Sequence, residues 1–316
     1  MINFIIILIK AILVLAFVSV SVMFLVYLER KISGHIQVRY GPMRVGWHGA
    51  LQLIADAGKL LMKEDLVPRA ADKWLFFCAP VLIFVSAYLA YLVIPFSPRI
   101  FVKDLNIGLL YLIGVTSLTV LAILMAGWSS NNKYALLGGF RSVAQIVSYE
   151  VPLILSIIPV IMLADSMSLL KIVEAQKGLP FIVLQPLGFL IYFIAAIAEA
   201  NRTPFDIPEA ESELVAGYNV EYSGMKFAMF FFAEYINMLT VCAFAATIFL
   251  GGWHGPLIPP VIWFFLKTYF LVFILMWVRW TFPRLRVDQL MNFCWKFLLP
   301  LAFINLLLTA AWVVLR

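Results

Sequence analysis

Ionisable and metal-binding chemistry is scarce in this sequence. Only 13% of its 316 residues are Asp, Glu, Lys or Arg, and it holds three cysteines and three histidines. Cys78, Cys242 and Cys294 stand alone in apolar segments with no C-x-x-C pair, so neither a disulfide framework nor an iron–sulfur cluster is encoded. His35, His48 and His254 are scattered and show no metal-ligand spacing. There is no Walker A sequence and no dinucleotide fingerprint, and Gly138-Gly139 and Gly251-Gly252 read as turns. Any redox cofactor working beside this chain must be held by another one.

What the chain has in excess is apolar length. Its hydrophobic fraction is 64% and its mean hydropathy +1.00, outside the range of a soluble globular protein. Eight windows, 3–28, 74–95, 107–128, 142–164, 180–199, 225–250, 258–278 and 294–315, are about long enough to cross a ~30 Å hydrocarbon core as helices. The first exceeds a signal-peptide core and runs into Glu29-Arg30-Lys31, which predicts a retained span. The expected fold is an all-α polytopic membrane protein with about eight transmembrane helices, one domain over 1–316.

Charge placement predicts orientation. The loops after spans one, three, five and seven gather Arg30, Lys31, Arg39, Arg44, Lys59, Lys63, Arg69, Lys73, Lys133, Arg141, Arg202, Lys226, Arg279, Arg284, Arg286 and Lys296, 16 of the 23 basic residues. Arg99, Lys103, Lys171, Lys177 and Arg316 fall on the other side, while Lys10 and Lys267 fall inside spans. The positive-inside rule puts the odd-numbered loops in the cytoplasm or matrix and both termini opposite. The net charge of +6 is thus a topology signal, and no nucleic-acid partner is expected.

Between spans one and two, Gln52, Asp56, Lys59 and Lys63 recur at spacings of four, three and four, with Leu53, Ile54, Ala57, Leu60 and Leu61 opposite. This pattern predicts an amphipathic helix in the membrane interface. It reads either as a helix packed on neighbouring spans or as the wall of a lateral opening for a lipid-soluble ligand. Glu150 and Glu234 lie roughly 12–14 Å inside their spans at ~1.5 Å per residue. Acids at such depth face the protein interior and mark proton or ion paths; the plainer reading is a structural hydrogen bond, with Asn237 beside Glu234. Lys267 lies deep enough in span seven to meet Glu234 or to snorkel to the outer surface.

The stretch EANRTPFDIPEAESELVAGYNVEYSG, 199–224, concentrates Glu199, Asp206, Glu209, Glu211, Glu213 and Glu221, six of the 17 acids, with Arg202. Pro204 and Pro208 interrupt any helix, and Phe205, Ile207, Leu214, Val215 and Tyr218 call for burial, unlike a solvated acidic loop. This motif, with FFFAEY at 230–235, ERKISGHIQVRYGP at 29–42, ADAGKLLMKED at 55–65, Ser148-Tyr149-Glu150 and WVRWTFPRLRVDQLMNFCWK at 277–296, resembles one family over nearly the whole chain. That family is the membrane subunit forming the quinone site of respiratory complex I: the H subunit of NADH-quinone oxidoreductase in bacteria, NADH dehydrogenase subunit 1 in mitochondria.

The resemblance implies a quinone tunnel with Arg30, Arg39 and Asp56 near its mouth and wall, and Arg202, Asp206, Phe227 and Phe231 deeper in. It implies an acidic chain of Glu150, Glu199, Glu209, Glu211, Glu221 and Glu234, to which Lys267 is added by its depth alone. Arg279, Arg284 and Arg286 would face the hydrophilic arm. No cofactor is expected on this chain; quinone is the substrate, and FMN and iron–sulfur clusters belong to partner subunits. The expected partners are the peripheral quinone-site and iron–sulfur subunits, small neighbouring membrane subunits and the lipid bilayer. The tail, GGWHGPLIPPVIWFFLKT at 251–268 and LPLAFINLLLTAAW at 299–312, resembles bacterial members of the family, which implies a bacterial inner membrane, with a mitochondrial one as alternative. Competing functions are the equivalent subunit of a membrane-bound hydrogenase and a stand-alone ion-coupled transporter, although no internal repeat supports the latter.

Overall fold

The computed structural model describes residues 2–207 and 215–315, and among them every regular element is helical. In chain order these are α1 (Ile2–Ile36), α2 (Gln52–Met62), α3 (Lys73–Leu89), α4 (Gly108–Thr116), α5 (Leu118–Ser129), α6 (Lys133–Ala164), α7 (Leu169–Ala175) and α8 (Phe181–Leu184). They continue with α9 (Pro186–Glu199), α10 (Gly224–Ile248), α11 (Pro260–Thr281), α12 (Val287–Phe293) and α13 (Leu299–Leu315), and a π-helical turn, Cys294–Leu298, joins the last two.

Seven stretches among the described residues are long and apolar enough to cross a membrane: Ile7–Ile36, Lys73–Leu92, Gly108–Ser129, Lys133–Ala164, Gly224–Ile248, Pro260–Thr281 and Val287–Leu315. The chain is a multi-pass membrane protein. The fifth expected span, 180–199, is instead split. Pro186 starts a new helix after a break at Gln185 (φ −131°, ψ 54°), and the resulting 14-residue α9 is about 21 Å long, short of the hydrocarbon thickness. Its C-terminus falls at Glu199, where the proline-rich stretch was expected to end it.

Two boundaries differ usefully from the sequence reading. Asn132 accepts from the Tyr134 N–H at 2.9 Å and caps α6, which therefore begins nine residues before the expected 142. Gly138 and Gly139 are consequently helical and not a turn. A Cβ on Gly138 would come within 2.7 Å of Gly217 Cα, so its hydrogen is what lets α6 touch the Gly217–Asn219 turn. Gly251 and Gly252 do form a turn, at φ 72° and 50°. The other difference is α1: at 35 residues it is about 52 Å long, so Lys10 need not sit in hydrocarbon.

The core gathers around α10, where every residue from Met238 to Phe249 is buried, as befits a helix apolar on all sides. Proline inside α6 is accommodated by a partner. Pro152 cannot donate to the Ser148 carbonyl, and Cys294 Sγ takes up that acceptor at 3.1 Å.

Candidate functional site

Four segments distant in sequence meet at the end of the bundle that carries the acidic stretch. Glu29 comes from α1, Arg202 from the loop after α9, Glu234 from α10 and Arg279 from α11. Arg202 Nε lies 3.0 Å from Glu234 Oε1, Arg202 Nη1 lies 3.7 Å from Glu29 Oε1, and Arg279 Nη1 bonds the same Glu29 oxygen. Two cations and two anions alternate, and their formal charges cancel. Arg202 is 2% exposed and its guanidinium stacks 4.4 Å from the Tyr235 ring, which fixes its plane against α10.

The loop that delivers Arg202 is held by hydrogen bonds. Gln145 Nε2 on α6 donates to the carbonyls of Ala198 and Phe205 at 2.8 and 2.6 Å, pinning both ends of the turn. Beyond it, Asp206 pairs with Arg284 at 2.8 Å, and Leu285 N–H donates to Pro204 O at 3.1 Å. Asp206 Oδ1 is buried without a hydrogen-bond partner among the described residues, an acceptor left facing the interior.

A second row of acids leads inward. Glu199 interacts electrostatically with Glu150. A small cavity, about 20 Å³ to the centre of a water and so roomy enough for about one, is lined by Glu199, Asn201, Thr119, Glu234 and Asn237. It connects the Glu150–Glu199 pair to the arginine–glutamate row. Glu221 stands apart and accepts from Asn132 Nδ2 at 2.7 Å. Glu209, Glu211 and Glu213 lie outside the described residues.

On the flank toward α2 is an apolar pocket of about 190 Å³ between α1 (Met23, Val26), α2 (Leu53, Ala57) and α10 (Phe231, Phe232). Phe227 stacks on Phe231 with ring centres 6.4 Å apart. The α2 helix takes Gln52, Asp56 and Lys59 as their spacing predicted but stops at Met62, leaving Lys63 extended beyond its end. Its polar face ties it to α1, where Arg30 Nη1 bonds Asp56 Oδ2 at 2.6 Å, and Gln52 Nε2 braces Asp56 Oδ1 at 3.0 Å. Desolvation pushes the Asp56 carboxyl up, but hydrogen bonds from Arg30 and Gln52, with the charges of Arg30 and Lys59, outweigh it and hold the group below its ordinary range.

Not every expected residue joins this site. Arg39 is exposed, bonds Gln37 at 2.6 Å, and lines a separate pocket with Lys31 and His35. Lys267 does not meet Glu234. Its ammonium donates to the carbonyls of Leu250, Gly252 and His254 at 2.6, 3.0 and 2.6 Å, because the Gly251-Gly252 turn aims three acceptors at it. Arg279 and Arg284 spend their charge on internal acids, while Arg286 is exposed at the start of α12. Sequence reasoning missed Glu29, Tyr235 and Lys226. Lys226 Nζ sits 2.9 Å from Asp65 and 3.5 Å from the centre of the Phe77 ring, latching the end of the α2 segment to α10. An acid heading the otherwise basic flank Glu29-Arg30-Lys31 was the one available signal for the first.

Comparison with known proteins agrees with the resemblance. The family model described as NADH dehydrogenase matches residues 9–310. The H subunit of NADH-quinone oxidoreductase from Dehalococcoides mccartyi strain CBDB1 is 54% identical over 303 residues, 96% of this chain and 86% of the relative. The protein of the same name from Syntrophotalea carbinolica is 51% identical over 325 residues, covering 100% and 98%. An H subunit of the same enzyme from Geobacter sulfurreducens is 50% identical over 329 residues, covering 97% and 94%. With similarity of this extent spanning both the charged row and the apolar pocket, the chain belongs to the family of NADH-quinone oxidoreductase H subunits and is a membrane component of an oxidoreductase complex.

Proposed function

We propose that this chain supplies the quinone tunnel of its complex and passes the consequence of quinone reduction into the membrane as proton movement. The observation that carries the reading is adjacency: α10 presents Phe231 to the apolar pocket and, three residues on, Glu234 to the charged row. An apolar pocket walled by an interfacial helix suits the isoprenoid tail of a quinone, with the Arg30–Asp56 pair nearby. The quinone headgroup would lie toward Arg202 and Asp206, whose buried Oδ1 can accept from a quinol hydroxyl. Electrons would come from iron–sulfur clusters and FMN of partner subunits, through peripheral subunits docked on the face bearing Arg286.

Reduction of a quinone by two electrons demands two protons or leaves negative charge beside the row. At ~6 Å and an effective dielectric of ~20, one such charge changes a neighbour's energy by about 3 kcal/mol, equivalent to about two pKa units. The cavity between Glu199 and Glu234 gives a relayed proton a water to cross on. The bacterial relatives favour a bacterial cytoplasmic membrane, and the charge asymmetry of the loops then puts the tunnel mouth on the cytoplasmic side and both termini on the periplasmic side.

The test is Glu150→Gln and Glu234→Gln in the assembled complex. NADH:quinone reductase activity should fall at least tenfold while NADH oxidation by a water-soluble acceptor stays intact. Loss of neither activity would overturn the proposal, and equal loss of both would signify failed assembly. Recovery of a nickel hydrogenase with the tagged chain would transfer the reading to that class of enzyme.

A further inference from the structure

A second cavity lies away from the quinone pocket, between α1 and α3 near the α3–α4 connection. It is a groove of about 330 Å³ lined by residues such as Leu8, Ile12 and Leu15 on α1, Phe84 and Val85 on α3, and Leu92 in the turn that follows α3. Its large polar neighbours are turned elsewhere: Tyr88 OH pairs with Ser19 Oγ at 2.7 Å and Tyr91 OH points to the Ile236 carbonyl. The groove therefore offers carbon to whatever fills it.

Its mouth is cationic. The 93–107 connection folds back on α1, where Phe96 meets Phe17 with ring centres 6.1 Å apart and Lys10 Nζ sits 5.7 Å from the centre of the Phe101 ring. Lys103 is exposed and its backbone N–H bonds the carbonyl of Leu92, a groove residue, at 3.3 Å. Arg99 is exposed in the tight turn closed by Ile100 N–H on Ser97 O. The one acid in the connection, Asp104, accepts from Ser168 Oγ at 2.8 Å. Basic residues are sparse on this side of the bundle, yet Lys10 and Lys103 border one apolar groove and Arg99 stands in the connection that folds over beside it.

We propose that the groove holds an acyl chain of an anionic phospholipid whose phosphate lies among Lys10, Arg99 and Lys103. An extended acyl chain matches a narrow trough that lacks polar groups, and a single anionic headgroup matches a mouth of three cations and one engaged acid. A helix of a neighbouring subunit would fill the apolar part and leave the cations without a purpose. The site is independent of the quinone reading, since it shares no residue with that pocket.

The test uses the intact complex reconstituted in phosphatidylcholine nanodiscs. A trace of phosphatidylglycerol carrying a diazirine on its acyl chain is compared with phosphatidylcholine carrying the same chain. After irradiation, phosphatidylglycerol should label peptides containing 8–15 and 84–92 at least fivefold more than phosphatidylcholine does, and unlabelled phosphatidylglycerol should compete. Each Gln substitution among Lys10, Arg99 and Lys103 should lower the labelling by about fivefold. Leu15→Trp, which fills the groove and keeps the cations, should abolish it. Equal labelling by both lipids, no labelling in these peptides, or cross-linking of a photoreactive residue at Val85 to another subunit would each overturn the proposal. If the charge variants do not assemble, the wild-type comparison decides alone.

Discussion

Removing the central cation of the charged row is the most demanding test of its electrostatics. In Arg202→Met the side chain keeps much of its apolar volume but the alternating set of two cations and two anions becomes net −1. Glu29 keeps Arg279; Glu234 loses the guanidinium 3.0 Å away. At a charge separation of ~4 Å and an effective dielectric of ~20, that attraction amounts to about 4 kcal/mol. Measured losses on breaking one partner out of a buried pair are about 3–5 kcal/mol. Loss of the stacking on Tyr235 adds on the order of 1 kcal/mol. At roughly 2–4 °C per kcal/mol, the thermal midpoint of this subunit in the purified complex should fall by about 10 °C. Arg202→Met combined with Glu234→Gln restores neutrality, and neutral replacement of a buried pair is often well tolerated, so the double variant should regain at least half of the loss. Scanning fluorimetry of the two variants beside the parent decides the matter. A double variant no better than the single one would refute the electrostatic account and leave shape as the cause.

Three further outcomes follow from other contacts. Gly138→Val should reduce the amount of assembled complex, because its branched side chain meets the Gly217 backbone at a cost of about 1–3 kcal/mol or more, whereas Gly178→Val, with open space around it, should not. Lys226→Met loses a desolvated cation–π contact worth about 2 kcal/mol, so amide exchange over 62–68 should accelerate roughly 30-fold; Asp65→Asn alone, touching a half-exposed acid, should accelerate it less than about fivefold. Asp56 has a lowered pKa, so its contribution is present above the unfolded value of about 3.9 and is lost only as pH falls through the folded one. The emission of a fluorophore on Leu61→Cys should therefore stay constant from pH 5 to 8 and change only in stronger acid; a transition near pH 6 to 7 would assign the pinning of α2 to another group.

The parts of this molecule that follow from local pattern were legible in the sequence. Long apolar runs gave the spans, and the spacing of 52, 56 and 59 gave α2, which ends one residue short of Lys63. The start of α6 was hidden because cations at Lys133 and Arg141 and the Gly138-Gly139 pair set the segment 133–141 apart from the apolar run after it; the helix is capped by Asn132 before all of them. Gly138 and Gly139 looked like turn residues because glycine serves turns and close helix contacts equally, and only the approach of Gly217 separates the two uses. Lys267 had the depth to reach either Glu234 or the outer surface, and the three carbonyls around the Gly251-Gly252 turn decided between them. Of the charged row, Glu234 was visible as an acid inside an apolar span and Arg202 as the one cation of the acidic stretch, but nothing local links Glu29 to Arg279.

That last pairing has a consequence for how the chain is made. Glu29 and Arg279 are separated by 250 positions. At about 5–20 residues per second, the ribosome takes roughly 12–50 s to travel from one to the other. Glu29 is thus in place at the end of the first span well before α11 exists, and even Arg202 arrives some 173 residues later. During that interval the acid must stay hydrated or sheltered by the insertion machinery. The row can close only after α11 has entered the bilayer, which makes it a late checkpoint on whether the whole bundle has been built.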